Sequence, residues 1–145
     1  MKKSFTPLLF GLLFAVSGAQ AADTTTPIVD ENSASFPAGL WNTVHYKVNT
    51  NGSRPVHISV CIKANGTWQS LDSTDGLGGS WTRTGNNVHL SGNGKNKSTA
   101  GTGDLNLINP YRFMTGTWQS WPLSEPTKHS SYTSEWTLAI AKRCA

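Results

Sequence analysis

The run VHISVCIKANGTWQS, residues 56–70, decides the fold class. Residues 56–62 alternate apolar side chains with polar or small ones, which is the period of a half-buried β-strand. Asn65-Gly66 then supplies a turn that tolerates positive φ, and Gly66-Thr67-Trp68 opens a further extended segment. The run therefore predicts two antiparallel strands joined by a tight turn, with one apolar face.

The same alternation continues on both sides of this run. In an earlier strand it predicts an apolar face made of Val44, Tyr46 and Val48, and in the last strand one made of Trp136, Leu138 and Ile140. Turn signals separate about eight strands, which we place near 39–50, 55–64, 66–72, 78–84, 86–92, 103–109, 111–121 and 131–142. We expect an all-β fold, a small antiparallel up-and-down barrel, because closure removes exposed sheet edges.

A barrel embedded in a membrane is the alternative architecture. Its strands would need about nine to eleven residues each, with an apolar outer face. Several of the predicted strands are too short and too rich in glycine for that role. We therefore expect a soluble barrel without membrane insertion.

The N-terminus has the pattern of an export signal. Lys2 and Lys3 precede the apolar segment 7–16, and Ala19-Gln20-Ala21 is an A-x-A cleavage site. An uncleaved membrane anchor is the less favoured alternative. We predict a signal peptide over 1–21, a mobile leader over 22–37 and a barrel domain over 38–145. The Lys-Lys start is typical of bacteria, and the destination is then the periplasm or the medium.

Charge argues against nucleic acid as a partner. The net charge of the whole chain is +4, and it falls to +2 once Lys2 and Lys3 leave with the signal peptide. The remaining basic residues form no concentrated patch, which a nucleic-acid surface would need.

Cys61 and Cys144 are the two cysteines of the chain. An even count in an exported protein predicts a disulfide, and two free thiols are the alternative. In a closed barrel the second and last strands are ~10 Å apart, because one strand lies between them. We therefore expect the C-terminal tail to fold across a barrel end and the bridge to pin it over the opening.

A Gly-x-Trp element recurs along the chain, at 39–41, 66–68, 79–81 and 116–118. The glycine permits close approach and the Trp supplies a large rigid ring. Most of these rings could simply pack in the core. The alternative is a ligand surface, for which we select Trp68, Trp118 and Trp121; the last two should face opposite sides of one strand.

These elements give the chain a resemblance to the calycin group, which includes lipocalins, avidins and periplasmic inhibitors of bacterial metalloproteases. Gly39-Leu40-Trp41 is similar to the start of a lipocalin's first strand, and Gly-Thr-Trp at 66–68 and 116–118 is similar to the opening strand of avidins. The resemblance implies a lipocalin-like barrel. It does not extend to biotin, because the C-terminal ligand motif of avidins is missing. The leader 22–37 is compatible with inhibition through a free N-terminal segment.

Catalytic and metal-binding patterns are poor. Asp72, Asp75, Glu125 and Glu135 lie in or beside loops, where solvated charges are commoner than an acid–base pair, and His45, His57 and His89 are expected to share the polar face of the sheet. We expect no enzymatic activity, no cofactor and no metal.

The leading hypothesis is an exported, monomeric binding protein that binds or inhibits another protein. The alternative is a barrel that binds a small apolar or carbohydrate ligand through its Trp rings.

Overall fold

The computed structural model describes residues 36–72, 76–108, 112–139 and 144. They form eight strands and no helix. The strands are β1 Gly39–Lys47, β2 Val56–Ile62, β3 Thr67–Ser70, β4 Gly78–Thr84, β5 Asn87–Asn93, β6 Thr99–Ile108, β7 Phe113–Pro122 and β8 Ser130–Leu138.

Each strand pairs antiparallel with the next, and β8 pairs with β1 to close the barrel. Trp41 of β1 shows the closure, since it lies opposite Val60 of β2 on one side and Leu138 of β8 on the other. The predicted all-β, up-and-down antiparallel barrel is therefore confirmed. It is also consistent with the calycin resemblance at the level of architecture.

The inner face follows the predicted alternation in β2 but not in β1. Val60 and Ile62 are buried as expected. In β1, however, the interior receives Trp41, Thr43 and His45, whereas Tyr46 is 42% exposed. The predicted apolar face of this strand was wrong, because Trp41 fills the barrel and fixes which alternate residues point inward.

The barrel is packed at one end, which we name the closed end. Here β1 begins and β2 ends. Phe36 is almost completely buried and meets Trp41 edge to face, while the Trp41 indole N–H donates to the carbonyl of Pro37 at 2.9 Å. The guanidinium of Arg83 lies over the Phe36 ring and donates to its carbonyl. The last residues of the predicted leader, Phe36 and Pro37, thus belong to the packed barrel, and residues 1–35 lie outside the described part of the chain.

The opposite end, where β1 ends at Lys47 and β2 begins at Val56, we name the open end. Between the two ends the core is formed by large apolar side chains from nearly every strand. Its most deeply buried members are Trp41, Ile62, Val88, Leu90, Leu105, Met114 and Trp136.

The predicted strand boundaries differ most at the end of β8, which is Leu138 and not near residue 142, and at the start of β6, which is Thr99 and not near residue 103. Gly101 and Gly103 lie within the strand, where Gly101 pairs with Ser120 and Gly103 with Trp118. The predicted strand left Gly101 out, whereas both glycines belong to β6 and make room for the ring of Trp118.

Cys61 and Cys144 form the predicted disulfide, with their Cα atoms 5.4 Å apart. Cys61 alternates with the inward-facing Val60 and Ile62, so its side chain points to the outer side of the wall. Cys144 lies beside the carbonyl of Gly39, where β1 begins. The bridge therefore holds Cys144 against the outside of the wall near the closed end. The expectation that the tail folds across a barrel end falls on residues 140–143 and 145, which lie outside the described part of the chain.

The described residues contain no helix that is long and apolar enough to cross a membrane.

Candidate functional site

A cavity of ≈ 130 Å³ enters the barrel from the open end. Its wall is mostly apolar, with a small number of hydroxyl groups and one imidazole. The lining residues are His45, Val56, Ile58, Val60, Trp68, Ser70, Leu77, Trp118, Ser120, Tyr132 and Trp136. An apolar cleft with a few convergent polar groups is the usual form of a small-molecule site.

Two of the three Trp residues selected from the sequence meet in this cavity. Trp68 of β3 and Trp118 of β7 lie edge to face with ring centroids 5.5 Å apart. Trp121, three residues further along β7, faces the outer side of the wall, where its ring lies 5.0 Å from the ring of His129. The structure therefore brings Trp68 and Trp118 together and separates Trp121 from them.

Glycines on β6 determine the position of the Trp118 ring. A Cβ atom placed on Gly101 would lie 2.5 Å from Cζ2 of Trp118, and one on Gly103 would lie 2.6 Å from Cε3. The indole thus rests against the backbone of β6 across both glycines. This contact leaves the other side of the ring turned toward the barrel interior.

We expect Gly103→Ala to destabilise the protein by about 1–3 kcal/mol, because the new methyl group would lie 2.6 Å from the Trp118 ring and push it away from the backbone of β6. Urea unfolding measures the change. In the background of Trp118→Val the same substitution should cost much less, since the clashing ring is gone. Equal costs in both backgrounds would show that the glycine does not act through Trp118.

His45 belongs to the cavity wall and was not selected from the sequence as a ligand residue. The hydroxyl of Thr43 donates its only proton to the carbonyl of Ile58 at 2.9 Å. It must therefore accept from Nε2–H of His45, also at 2.9 Å. Nδ1 of the neutral ring then accepts from the hydroxyl of Ser134 at 2.7 Å. Both nitrogens are satisfied without a charge.

Burial explains why this histidine stays neutral. Its ring is surrounded edge to face by Trp118, Tyr132 and Trp136, each with a centroid 6.2–6.3 Å away. Removal from water disfavours the charged form, and burial lowers the pKa of His45 to about 4 from its ordinary 6.5. The expectation that His45 shares the polar face with His57 and His89 was wrong, because only the latter two are exposed.

The other candidate groups are scattered over the outside. Nδ1 of His89 lies 2.6 Å from a carboxylate oxygen of Asp104, and Asp72 accepts from the backbone N–H of Ser59 at 2.7 Å. Glu125 pairs with Lys128 three residues away. Asp75 lies outside the described residues. Across the described ranges, no three His, Cys, Asp or Glu side chains come close enough together to hold a metal ion.

Two buried polar atoms of the cavity-lining residues have no hydrogen-bond partner among the residues that the structure describes. They are the hydroxyl oxygen of Ser70 and the indole nitrogen of Trp136. A buried polar atom without a partner is uncommon and calls for an explanation, such as an ordered water or a ligand. Sequence reasoning did not select Ser70, although it lies two residues after Trp68 on β3 and therefore shares the face of that strand with Trp68.

No family model, no curated protein and no solved structure matches this chain.

Proposed function

We propose that the protein binds a small molecule in the open end of its barrel. The observation that carries this proposal is the cavity itself, which is walled by the rings of Trp68, Trp118, Tyr132 and Trp136. Aromatic rings bury much surface with little loss of side-chain entropy, which suits them to holding a compact ligand. An exported location is part of the proposal, and the Cys61–Cys144 bridge is compatible with it.

Binding or inhibition of another protein was the leading hypothesis from the sequence and stays a prediction. It rested on the missing catalytic patterns, the disulfide-closed β-scaffold and the long polar loops, and the leader 22–37 was compatible with it. Of that leader only Phe36 and Pro37 lie among the described residues, and both are buried. The absence of enzymatic activity likewise stays a prediction. The small-molecule proposal is preferred because a cavity in the described part of the barrel supports it directly.

The volume of the cavity indicates the size of the ligand. A buried apolar cavity of ~150 Å³ accommodates benzene. The ≈ 130 Å³ found here therefore fits one ring, with any further part of the ligand extending through the open end. An oligosaccharide is too large to enter, so the enclosed part of a sugar ligand would be a single residue.

A pair of matched variants tests the proposal. Ser120 lines the cavity and Gln119, its neighbour on β7, is exposed on the outer face. We expect benzene to bind saturably to the wild-type protein and to Gln119→Phe, as followed by calorimetry and Trp emission. Ser120→Phe should abolish binding because its ring occupies the cavity. Failure of the wild-type protein to bind any one-ring probe, or equal binding by both variants, would contradict the proposal.

A further inference from the structure

If the cavity binds a small molecule, as proposed above, the polarity of its wall limits which chemical class of molecule can bind. Trp118 lies with one side against Gly101 and Gly103, so the opposite side of its ring is the one available to a ligand. Trp68 meets Trp118 edge to face and forms a corner with it. A flat molecule can stack on Trp118 while its edge approaches Trp68.

Two groups that can form hydrogen bonds belong to residues of the same cavity wall. Ser70 is 4% exposed, its side chain is on the inner side of β3, and its hydroxyl has no partner among the described residues. Rotation about the Cα–Cβ bond can turn this hydroxyl toward the cavity. The unpartnered indole N–H of Trp136 can only donate, whereas a serine hydroxyl can donate or accept. An acceptor oxygen on the ligand matches the Ser70 hydroxyl once that hydroxyl has rotated toward the cavity, whereas the indole N–H of Trp136 is itself buried.

The described residues that line the cavity carry no charged side chain. None of its lining residues is Asp, Glu, Lys or Arg. The one imidazole, His45, has both nitrogens engaged by Thr43 and Ser134. An ion that entered would lose its hydration without gaining a counter-charge. The aromatic rings could still attract a cation through their faces, which makes an organic cation the main rival ligand.

We infer that the cavity accepts an uncharged, flat, one-ring molecule carrying a carbonyl or similar acceptor group, which stacks on Trp118 and forms a hydrogen bond with Ser70. The flat ring matches the aromatic corner, and the acceptor matches the unpartnered hydroxyl of Ser70. Because the wall offers no counter-charge, anionic or cationic analogues of this molecule should bind more weakly.

Four one-ring probes of similar size test this inference by calorimetry on the full exported chain. Benzamide is neutral and has an acceptor, benzene lacks the acceptor, benzoate is an anion, and benzylammonium is a cation. We expect benzamide to bind at least tenfold more tightly than benzoate or benzylammonium at pH 7. It should also bind more tightly than benzene.

Ser70→Ala isolates the hydrogen bond. We expect this variant to weaken benzamide binding about three- to tenfold, the range for one neutral hydrogen bond, and to leave benzene binding unchanged. Ser80→Ala, on the exposed outer face of β4, is the matched control and should change neither.

The outcomes separate this inference from the proposed function. If no probe binds, the proposed function itself fails. If benzene binds as tightly as benzamide, or Ser70→Ala affects both alike, the cavity is a binding site but the hydrogen-bonding part of the inference is wrong. If benzylammonium binds most tightly, the aromatic wall selects a cation and the inference is overturned.

Discussion

Removing the disulfide should lower the free energy of unfolding by roughly 4–5 kcal/mol, the largest effect that we expect from any change in this barrel. Cys61 and Cys144 are separated by 83 residues, so the bridge restricts a long loop in the unfolded chain. The closed loop contains six of the eight strands, β3 to β8. The double variant Cys61→Ala/Cys144→Ala, compared with wild type by urea unfolding, measures the loss.

A reductant provides the control. In wild type it should reproduce the destabilisation, and in the double variant it should have no effect. Mapping of peptides without reduction should find the two cysteines cross-linked in the native protein. Native protein whose two thiols both react with a maleimide, or a double variant as stable as wild type, would contradict the bridge and its assigned contribution.

The fold was largely predictable because alternation in several strands is unambiguous. In β2, Val60 and Ile62 alternate with the polar or small Ser59 and Cys61, so the large apolar side chains share one face of the strand. The start of β6 was not predictable by the same reasoning, because Gly101 and Gly103 are also common in turns. Their place within a strand follows from the ring of Trp118 on the adjacent strand, and this contact between β6 and β7 is invisible in a local pattern.

The candidate site was predictable only in part for a related reason. Val44 and Tyr46 are more apolar than Thr43 and His45, and alternation therefore assigned the wrong face of β1 to the interior. Trp41 held the better signal: if its ring fills the barrel, residues two and four positions later also face inward. Trp118 and Trp121 were expected on opposite faces of one strand, but alternation alone did not say which of the two faces the interior.

The inward position of His45 has a consequence for acid stability. Burial lowers its pKa to about 4, while in the unfolded chain the group titrates near 6.5. Between these values the unfolded state binds the proton and the folded state does not, so acid favours unfolding. The stability that depends on neutral His45 is complete above pH 6.5, falls as the pH is lowered, and levels off below about pH 4. Over the whole window the loss is about 3 kcal/mol.

Unfolding by urea at several values between pH 7 and pH 4 tests this expectation against two variants. His45→Gln can keep a hydrogen bond to Thr43 but cannot be protonated, so its stability should fall less steeply with acid than that of wild type. His57→Gln, exposed on the neighbouring strand, is the matched control and should follow wild type. Carboxylates that titrate in the same range contribute equally to all three proteins, and the difference in slope therefore reports His45 alone. If His45→Gln and wild type lose stability in parallel, the imidazole is not held neutral by its position among Trp118, Tyr132 and Trp136.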